Sequence, residues 1–268
     1  MAQFTTSWFP TAAYLYVLHL DGAGLAWEYL RRNPAYRADW LYFHRQPEVA
    51  GRWGLRLMED PALDARDAFP AWLPGNDAVV QLYRDFDPPP DARPFEFWRL
   101  AGTKHLVHDG QRLLLIARRP RCSVSFALAP ELEDGMAYAY AIPAGPQLDK
   151  RYDAMSKQLA RHSAAETAPG AIPRPSTTAV LELHTLQALD ATLAGASMRG
   201  AAEAVFGKTA VASGWHADGG LRSRLRRLVR RGRSLMTGGY RRLVQLDSPG
   251  KGRSSRLRND PLQYPRPC

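Results

Sequence analysis

The segment LRSRLRRLVRRGRSLM, residues 221–236, arranges apolar and basic positions with the period of an α-helix. At about 100° per residue, one stripe collects the apolar side chains Leu221, Leu225, Leu228, Val229, Leu235 and Met236. The opposite side carries Arg226, Arg227, Arg230 and Arg231 with Ser223 and Ser234, while Arg222, Arg224 and Arg233 flank the stripe. The pattern predicts an amphipathic helix with a buried apolar stripe and an arginine-rich outer face.

Two shorter helical patterns come before this basic helix. The first, LQALDATLA, covers residues 186–194 and ends at Gly195. In the second, MRGAAEAVF at residues 198–206, small apolar side chains recur at helical spacing, and Ser197 stands at the N-cap position. We expect Gly207 to end the second helix with a positive φ, because glycine adopts that conformation without strain.

A turn region follows, which holds Val211, Gly214 and Trp215, and Asp218 is predicted to cap the basic helix. Two helices, a glycine-containing turn and a basic helix are typical of a helix-turn-helix unit, in which residues 221–236 are the recognition helix. The connection is longer than the usual tight turn. The sequence therefore predicts a variant of that unit.

The N-terminal region contains a predicted buried helix. Asp21 precedes GAGLAWEYLRR as a capping residue, and Pro34 ends the helix two residues after Arg32. Apolar side chains cover too much of its circumference for a free surface helix, so we expect it to pack on two sides. Residues 14–20 are apolar enough for a buried strand or the start of a helix, and residues 78–86 predict a strand.

Alternating patterns in the middle of the chain predict β-structure. Residues 104–117 form a predicted β-hairpin with Asp109 and Gly110 as a two-residue turn. The segments 123–129 and 137–143 alternate with period two and would extend this hairpin into a meander. The remaining predictions are a helix at 148–163 and a short strand at 179–184.

Together these elements predict an α+β fold with a small N-terminal mixed domain, a central antiparallel β-meander and a C-terminal all-helical unit like a helix-turn-helix. The prolines at residues 88–90 fit neither a helix nor a central strand, so we place a domain boundary there. The predicted divisions are the N-terminal domain at 1–90, the meander with its helix at 91–166, a proline-rich connector at 167–178, the helix-turn-helix variant at 179–246 and a disordered basic tail at 247–268.

Positive charge is concentrated near the C-terminal end of the chain. Residues 221–258 hold twelve arginines and one lysine against one aspartate, a net charge of +12. Because the whole chain carries +10, the other residues have a net charge of −2. An unbroken arginine face repels itself unless a polyanion neutralises it, and the planar donor fork of arginine suits phosphates and the guanine edge. The pattern favours nucleic acid over a solvated basic face or a membrane-surface helix.

No arrangement of residues in the sequence points to catalysis, so we expect that the protein is not an enzyme. The GKT sequence at residues 207–209 resembles the end of a phosphate-binding loop, but Ala202 stands where that motif needs glycine. His105 and His108 would lie on opposite faces of a strand, and no acidic or cysteine cluster completes a metal site. Two cysteines are too few for a disulfide framework. We expect no metal, no cofactor, no signal peptide and no membrane-spanning segment, and a cytoplasmic location.

The chain also carries a family resemblance. Residues 186–244, with LQALDATLAGAS, AEAVFG, a tryptophan and LRSRLRRLVRRGRSLMTGGYRRLV, resemble the DNA-binding domain of FseA-like transcriptional activators of proteobacterial integrative and conjugative elements. WEYLRRNPAYRADW at residues 27–40 and WGLRLMEDPALDARDAFPAWLP at residues 53–74 resemble the regulator-like N-terminal domain of that family. Gly200 and Ala201 depart from it, since the family tends to have Glu and Ile there. The resemblance implies an activator of excision and transfer genes, in a bacterial cytoplasm and associated with the nucleoid.

The residues that we predict to contact DNA lie mainly on the basic helix. On that helix they are Arg222, Ser223, Arg224, Arg226, Arg227, Arg230, Arg231 and Arg233. Further contacts are predicted at Ser197, Arg199, Lys208, Arg241 and Arg242, and the resemblance assigns DNA contact to the whole corner at residues 238–241. The side chains near the N-terminal end of the basic helix are expected to read bases, and the other arginines to neutralise phosphates.

The predicted partner is double-stranded DNA. RNA polymerase or a regulatory partner protein is a further candidate, which the tryptophan-rich N-terminal half would bind. Two other classes of function stay open from the sequence. One is a recombination-accessory or architectural protein that bends DNA, and the other is a protein-interaction module, an antiactivator or a polymerase-binding protein, with non-specific DNA affinity. The sequence does not define an oligomeric state.

Overall fold

The computed structural model describes residues 10–44, 46–73, 79–108, 113–119, 122–142, 144–145, 148–167, 174–216 and 219–244. Helices at both ends of the chain flank a central five-stranded sheet in the sequence, which confirms the predicted α+β class. Among the residues so described, no helix combines the length and the apolar character that crossing a membrane requires.

Side-chain caps mark the start of two of the N-terminal helices. A 3₁₀ helix at Thr11–His19 is followed by α1 at Gly22–Leu30, α2 at Pro34–Phe43 and α3 at Pro47–Arg52. The Asp21 carboxylate accepts a 2.8 Å hydrogen bond from a backbone N–H of α1, so it caps that helix as predicted. Asn33 caps α2, and Pro34 occupies the first turn, where its missing N–H leaves no bond unmade. Residues 26–30 are all buried, which confirms that α1 packs on two sides.

The sheet consists of β1 at Val79–Arg84, β2 at Thr103–His108, β3 at Leu113–Arg119, β4 at Cys122–Leu128 and β5 at Tyr138–Ala141. Its strand order is β2-β3-β4-β1-β5. The strands β2, β3 and β4 form an antiparallel meander as predicted. β5 does not extend that meander directly, because β1 lies between β4 and β5, parallel to β4 and antiparallel to β5. The buried side chains of Val80 and Leu82 suit this inner position.

The predicted β-hairpin is present: β2 and β3 pair in antiparallel fashion as far as His108 and Leu113. Asp109 and Gly110, which we predicted as the turn, lie outside the described residues.

The C-terminal helices are α4 at Leu148–Thr167, α5 at Thr177–Leu193, α6 at Met198–Phe206, α7 at Lys208–Gly214 and α8 at Gly220–Met236, followed by a 3₁₀ helix at Gly239–Arg242. The short strand predicted at 179–184 is wrong, since these residues belong to α5. Six residues are too few to distinguish the two periods, and Ser176 caps the helix by accepting a 3.1 Å hydrogen bond from the Ala179 N–H. Residues 168–173 of the predicted connector and the whole predicted tail at 247–268 lie outside the described residues.

Within the described part of the chain, three apolar clusters stabilise the fold. The first, which we call the helical core, draws residues from both ends of the chain, including Tyr14, Trp27, Leu30, Tyr36, Leu186, Leu189, Leu235 and Tyr240. The second, the sheet core, includes Val80, Leu82, Leu115, Val124 and Phe126, with Met155 and Leu159 of α4 packed against it. The third lies among α5, α6, α7 and α8 and includes Ala188, Ala201, Val211, Leu225 and Leu228. The predicted N-terminal and C-terminal domains therefore share one core, and β1 belongs to the sheet although it precedes the boundary that we predicted at residue 90.

Candidate nucleic-acid interface

The inner face of α8 matches the apolar stripe predicted from the sequence. Five of its six members are buried and Leu221 is half-buried. Gly232 is buried as well, and a Cβ at this position would lie 3.1 Å from the Leu189 Cβ on α5. The glycine therefore allows the two helices a close approach. The helix begins at Gly220 with Gly219 at the N-cap position, and Asp218, the predicted cap, lies outside the described residues.

The outer face of α8 is basic and uncompensated. The helix carries seven arginines and no carboxylate. We call Arg222, Ser223, Arg226, Arg227, Arg230 and Arg233 the basic face; all are exposed except Arg222, which is half-buried. As far as the structure describes the chain, the arginines of this face form no salt bridge. A row of cations without counter-charges attracts a polyanion, so this face can hold a phosphate backbone.

Two arginines that we predicted as DNA contacts are engaged with the protein. Arg231 was expected on the outer side, but it is half-buried and forms a salt bridge with Glu182 of α5, whose side chain is 2% exposed. Arg231 lies on the flank of α8 that faces α5, and a buried carboxylate there needs a cation. The Arg224 guanidinium, although exposed, lies 5.3 Å above the Phe206 ring of α6.

The corner after α8, to which the resemblance assigned DNA contact as a whole, also makes contacts within the protein. Tyr240 is 1% exposed, and its hydroxyl donates a 2.9 Å hydrogen bond to the Trp53 carbonyl. A Cβ at Gly239 would lie 2.8 Å from the Ser234 carbonyl oxygen, so the turn requires glycine. Arg241 is half-buried and donates to the Arg52 carbonyl, which leaves Arg242 as the exposed cation of this corner.

The predicted contacts ahead of α8 lie on α6 and α7, which both pack against it. The Ser197 hydroxyl caps α6 and accepts a 3.0 Å hydrogen bond from the Gly200 N–H. Arg199 is exposed and forms a 3.2 Å salt bridge with Glu203. Lys208 is exposed in the first turn of α7. The segment after Gly207, which we predicted as a turn, contains this short helix; Gly207 has the expected positive φ, +87°.

A buried charge cluster joins α1 to α5. The Arg32 guanidinium donates to both Asp190 oxygens, at 2.6 and 2.7 Å, and also to the Glu28 carboxylate. Asp190 accepts a further 2.7 Å bond from the Tyr14 hydroxyl, and Arg31 donates to Glu28 at 2.8 Å. These side chains lie in the helical core, so the charges are held by one another and not by water.

The cluster shifts the pKa values of its carboxyl groups. Burial would raise the pKa of Glu28, but the guanidinium groups of Arg32 and Arg31 outweigh it and hold that pKa below the ordinary value of 4.5. Burial and Arg32 oppose each other in the same way at Asp190, whose pKa lies below the ordinary value of 3.8. Both groups therefore stay ionised in the folded protein at neutral pH.

The sequence analysis missed this cluster, although WEYLRRN at residues 27–33 contains a signal for it. Glu28, Arg31 and Arg32 stand three and four residues apart on a helix whose other side chains are apolar. Charged residues on a helix that packs on two sides have to be buried as pairs. Their partner Asp190 lies 158 residues from Arg32, and no local pattern identifies it.

Three family models match the chain. Residues 141–245, which include α5 to α8 and the basic face, match a model described as "T6SS, Transcription factor, DNA binding domain". Residues 7–57 match a model described as a proteobacterial transcriptional regulator-like domain, and residues 77–124 match a domain of unknown function. No curated protein matches the chain. The matches indicate a transcriptional regulator with a DNA-binding domain, whose partner is DNA.

Proposed function

We propose that the protein is a sequence-specific DNA-binding regulator that activates transcription. In this proposal α8 is the recognition helix of a helix-turn-helix variant, with α6 and α7 ahead of it, and lies in the major groove. The observation that carries the proposal is the basic face, whose arginines form no salt bridge with any residue that the structure describes, on a helix whose opposite side is buried. Such a face combines phosphate attraction with a rigid support for base contacts.

The side chains of α8 divide into two roles in this proposal. Recognition helices present their N-terminal residues to the base edges, which gives that role to Arg222, Ser223, Arg226 and Arg227. Arginine suits it because its donor fork binds the guanine O6 and N7 together. Arg230, Arg233 and Arg242 neutralise phosphates and fix the position of the helix on the duplex.

The proposed target genes are the excision and transfer genes of an integrative and conjugative element. This part of the proposal is supported by the resemblance of residues 186–244 and 27–40 to FseA-type activators. A reporter fused to the promoters of such genes tests it. Expression should rise when the full chain is present and should not rise with an Arg226→Ala variant.

The DNA-binding proposal is tested by selecting sequences from a random duplex library with the full chain. The full chain is needed because α5 and α8 share their core with the N-terminal helices. A preferred sequence that survives random competitor DNA supports the proposal. If random competitor DNA removes all binding to the selected sequences, α8 makes only non-specific electrostatic contacts with DNA.

Single substitutions then distinguish phosphate contacts from base contacts. Arg230→Ala should weaken binding to every sequence and reduce the salt slope by about one, as the loss of one phosphate contact does. Arg226→Ala and Ser223→Ala should relax the preference at one or two base positions, with a cost of about 1–3 kcal/mol for a lost bidentate arginine contact. Unchanged affinity in all three variants would show that α8 is not the recognition helix.

One observation also favours a protein partner for the N-terminal helices. The C-terminal end of α2 exposes three consecutive apolar residues: Leu41 at 65%, Tyr42 at 77% and Phe43 at 43%. Exposed apolar patches mark interaction surfaces, and we propose RNA polymerase or a regulatory protein as the partner. The double variant Leu41→Ser and Tyr42→Ser should lower activation of the reporter and leave DNA affinity unchanged. A patch without a role in partner binding would leave both quantities unchanged.

A further inference from the structure

The Glu182 carboxylate joins three helices at one point. Its Oε2 accepts a 2.5 Å hydrogen bond from the Tyr29 hydroxyl of α1, and its Oε1 forms the salt bridge with Arg231 of α8. Glu182 itself belongs to α5, and its side chain is 2% exposed. Burial raises the pKa of Tyr29, so this hydroxyl keeps the proton that it donates.

The charge of Arg231 is needed inside the protein. A buried carboxylate without a cation is strongly destabilising, and the other buried carboxylates of the cluster, Glu28 and Asp190, are matched by Arg31 and Arg32. In the described part of the chain, Arg231 is the cation that contacts Glu182. Among the described residues, losing Arg231 would leave the Tyr29 hydroxyl as the hydrogen-bond partner of that carboxylate.

The salt bridge also lies next to a close contact between α8 and α5. Gly232 follows Arg231, and a Cβ at Gly232 would lie 3.1 Å from the Leu189 Cβ and 3.4 Å from Thr185. Close packing limits the separation of the two helices, and the directional bond from Arg231 to Glu182 adds to the constraint that the buried stripe places on the rotation of α8 about its axis. Since about 100° separates successive side chains, a small rotation would carry arginines of the basic face away from their base edges.

We propose that Arg231 is a positioning residue, and that the chain Tyr29–Glu182–Arg231 lets the N-terminal helix α1 set the orientation of the recognition helix. This inference rests on the proposed function and deepens it. Arg231 then contributes to the choice of sequence without contacting DNA, and Tyr29 does so from α1.

The experiment compares two quantities in the full chain: the salt slope of binding, and the ratio of affinities for the selected duplex and a random duplex. Arg231→Gln should lower the affinity ratio by about threefold to tenfold, the effect of one lost buried hydrogen bond, and leave the salt slope unchanged. Arg230→Ala should reduce the salt slope and leave the affinity ratio unchanged. Arg231→Lys keeps the charge and should retain part of the ratio; it serves as the second variant if Arg231→Gln does not fold.

The Glu182→Gln variant distinguishes a positioning role of Arg231 from a direct contact between Arg231 and a DNA phosphate. If Arg231 contacted phosphate, removing the neighbouring carboxylate would free it and tighten binding to every sequence. A positioning role predicts a lower affinity ratio without tighter random binding.

Tyr29→Phe and Tyr36→Phe form a matched pair. Both hydroxyls belong to buried tyrosines of the N-terminal helices, but the Tyr36 hydroxyl bonds to the Glu59 backbone, at 2.7 and 3.0 Å, and not to α5 or α8. Tyr29→Phe should lower the affinity ratio, whereas Tyr36→Phe should not. The proposal is overturned if Arg231→Gln reduces the salt slope as Arg230→Ala does, or if the ratio survives Arg231→Gln. If the unaltered chain shows no preferred sequence, the proposed function fails as well.

Discussion

The helical core and the sheet core are built with different chemistry. Among the described residues, the sheet core buries apolar side chains such as Leu115 and Phe126, which pack without specific partners. The helical core also buries the charged residues Glu28, Arg32 and Asp190, each bonded in a defined geometry. An apolar core tolerates the exchange of one apolar side chain for another of similar volume. A buried charged side chain, in contrast, is strongly destabilising once its oppositely charged partner is removed. The comparison suggests that the region that holds α8 is the one with a fixed geometry.

The largest effect is expected from breaking the buried pair. Asp190→Ala removes one of the two carboxylates that hold the Arg32 guanidinium, whose side chain is 4% exposed, and should cost about 3–5 kcal/mol of unfolding free energy. That is a large part of the roughly 5–15 kcal/mol that stabilises a typical domain. Urea unfolding of the full chain measures it, with Leu115→Ala in the sheet core as the matched control.

The control should lose about 2–5 kcal/mol through a cavity, but it should keep the DNA affinity ratio as long as the protein is folded. Asp190→Ala should lose that ratio. An Asp190→Ala variant with a cost below about 1 kcal/mol would show that the charge cluster does not stabilise the helical core.

A second prediction concerns the approach of α8 to α5. Gly232→Val inserts side-chain atoms where Leu189 and Thr185 lie within 3.4 Å of a Cβ, and overpacking of this kind costs about 1–3 kcal/mol. Gly220→Val at the start of the same helix meets nothing within 4 Å and should change stability by less than about 0.5 kcal/mol. The unfolding temperatures of the two variants measure this difference in stability. Equal shifts would mean that the contact at Gly232 is not tight.

A third prediction tests the link between the two regions. Arg118 of β3 donates to the Ala65 carbonyl at 2.7 Å, and its guanidinium lies 4.3 Å from the centre of the Phe69 ring. Arg118→Met keeps most of the length but removes these bonds, and should cost about 1–2 kcal/mol. Calorimetry should then show the helices and the sheet unfolding in more clearly separated steps. A single unshifted transition would contradict a role for Arg118 in joining them.

The smallest expected effect is the loss of folding stability on mild acidification. Its sign follows from the lowered pKa values of Glu28 and Asp190. The folded protein holds these protons less tightly than the unfolded chain does. The stabilisation is therefore present above the ordinary values of 4.5 and 3.8 and is lost as the pH falls through the lower folded values.

Thermal unfolding between about pH 6 and pH 3 measures this loss. The melting temperature should fall mainly below about pH 4, and Asp190→Asn should reduce the dependence. A melting temperature that does not change across this range would contradict the assignment of Glu28 and Asp190 as ionised partners of arginine.

The sequence predicted the parts of the fold that depend on local chemistry. Caps such as Asp21 and Ser197 and the period of the α8 stripe were sufficient to place the helices and the inner face of α8. The parts that depend on distant partners were not predictable. Arg231 lies three residues after Leu228 and four before Leu235, so the helical period places it beside the apolar stripe, but its partner Glu182 lies on another helix and no local pattern identifies it. The insertion of β1 between β4 and β5 likewise depends on strand pairing across the triple proline.

The central claim is that the outer arginines of α8 bind DNA phosphates and base edges. The most direct test is the dependence of DNA affinity on salt concentration for the full chain and for a double variant with Arg230→Gln and Arg233→Gln, the two phosphate contacts proposed on the basic face. Each lost phosphate contact lowers the slope of log affinity against log salt by about 0.9, so the double variant should lower it by about two, while its unfolding temperature stays close to that of the unaltered chain. A double variant with an unchanged slope would show that DNA phosphates do not bind this face.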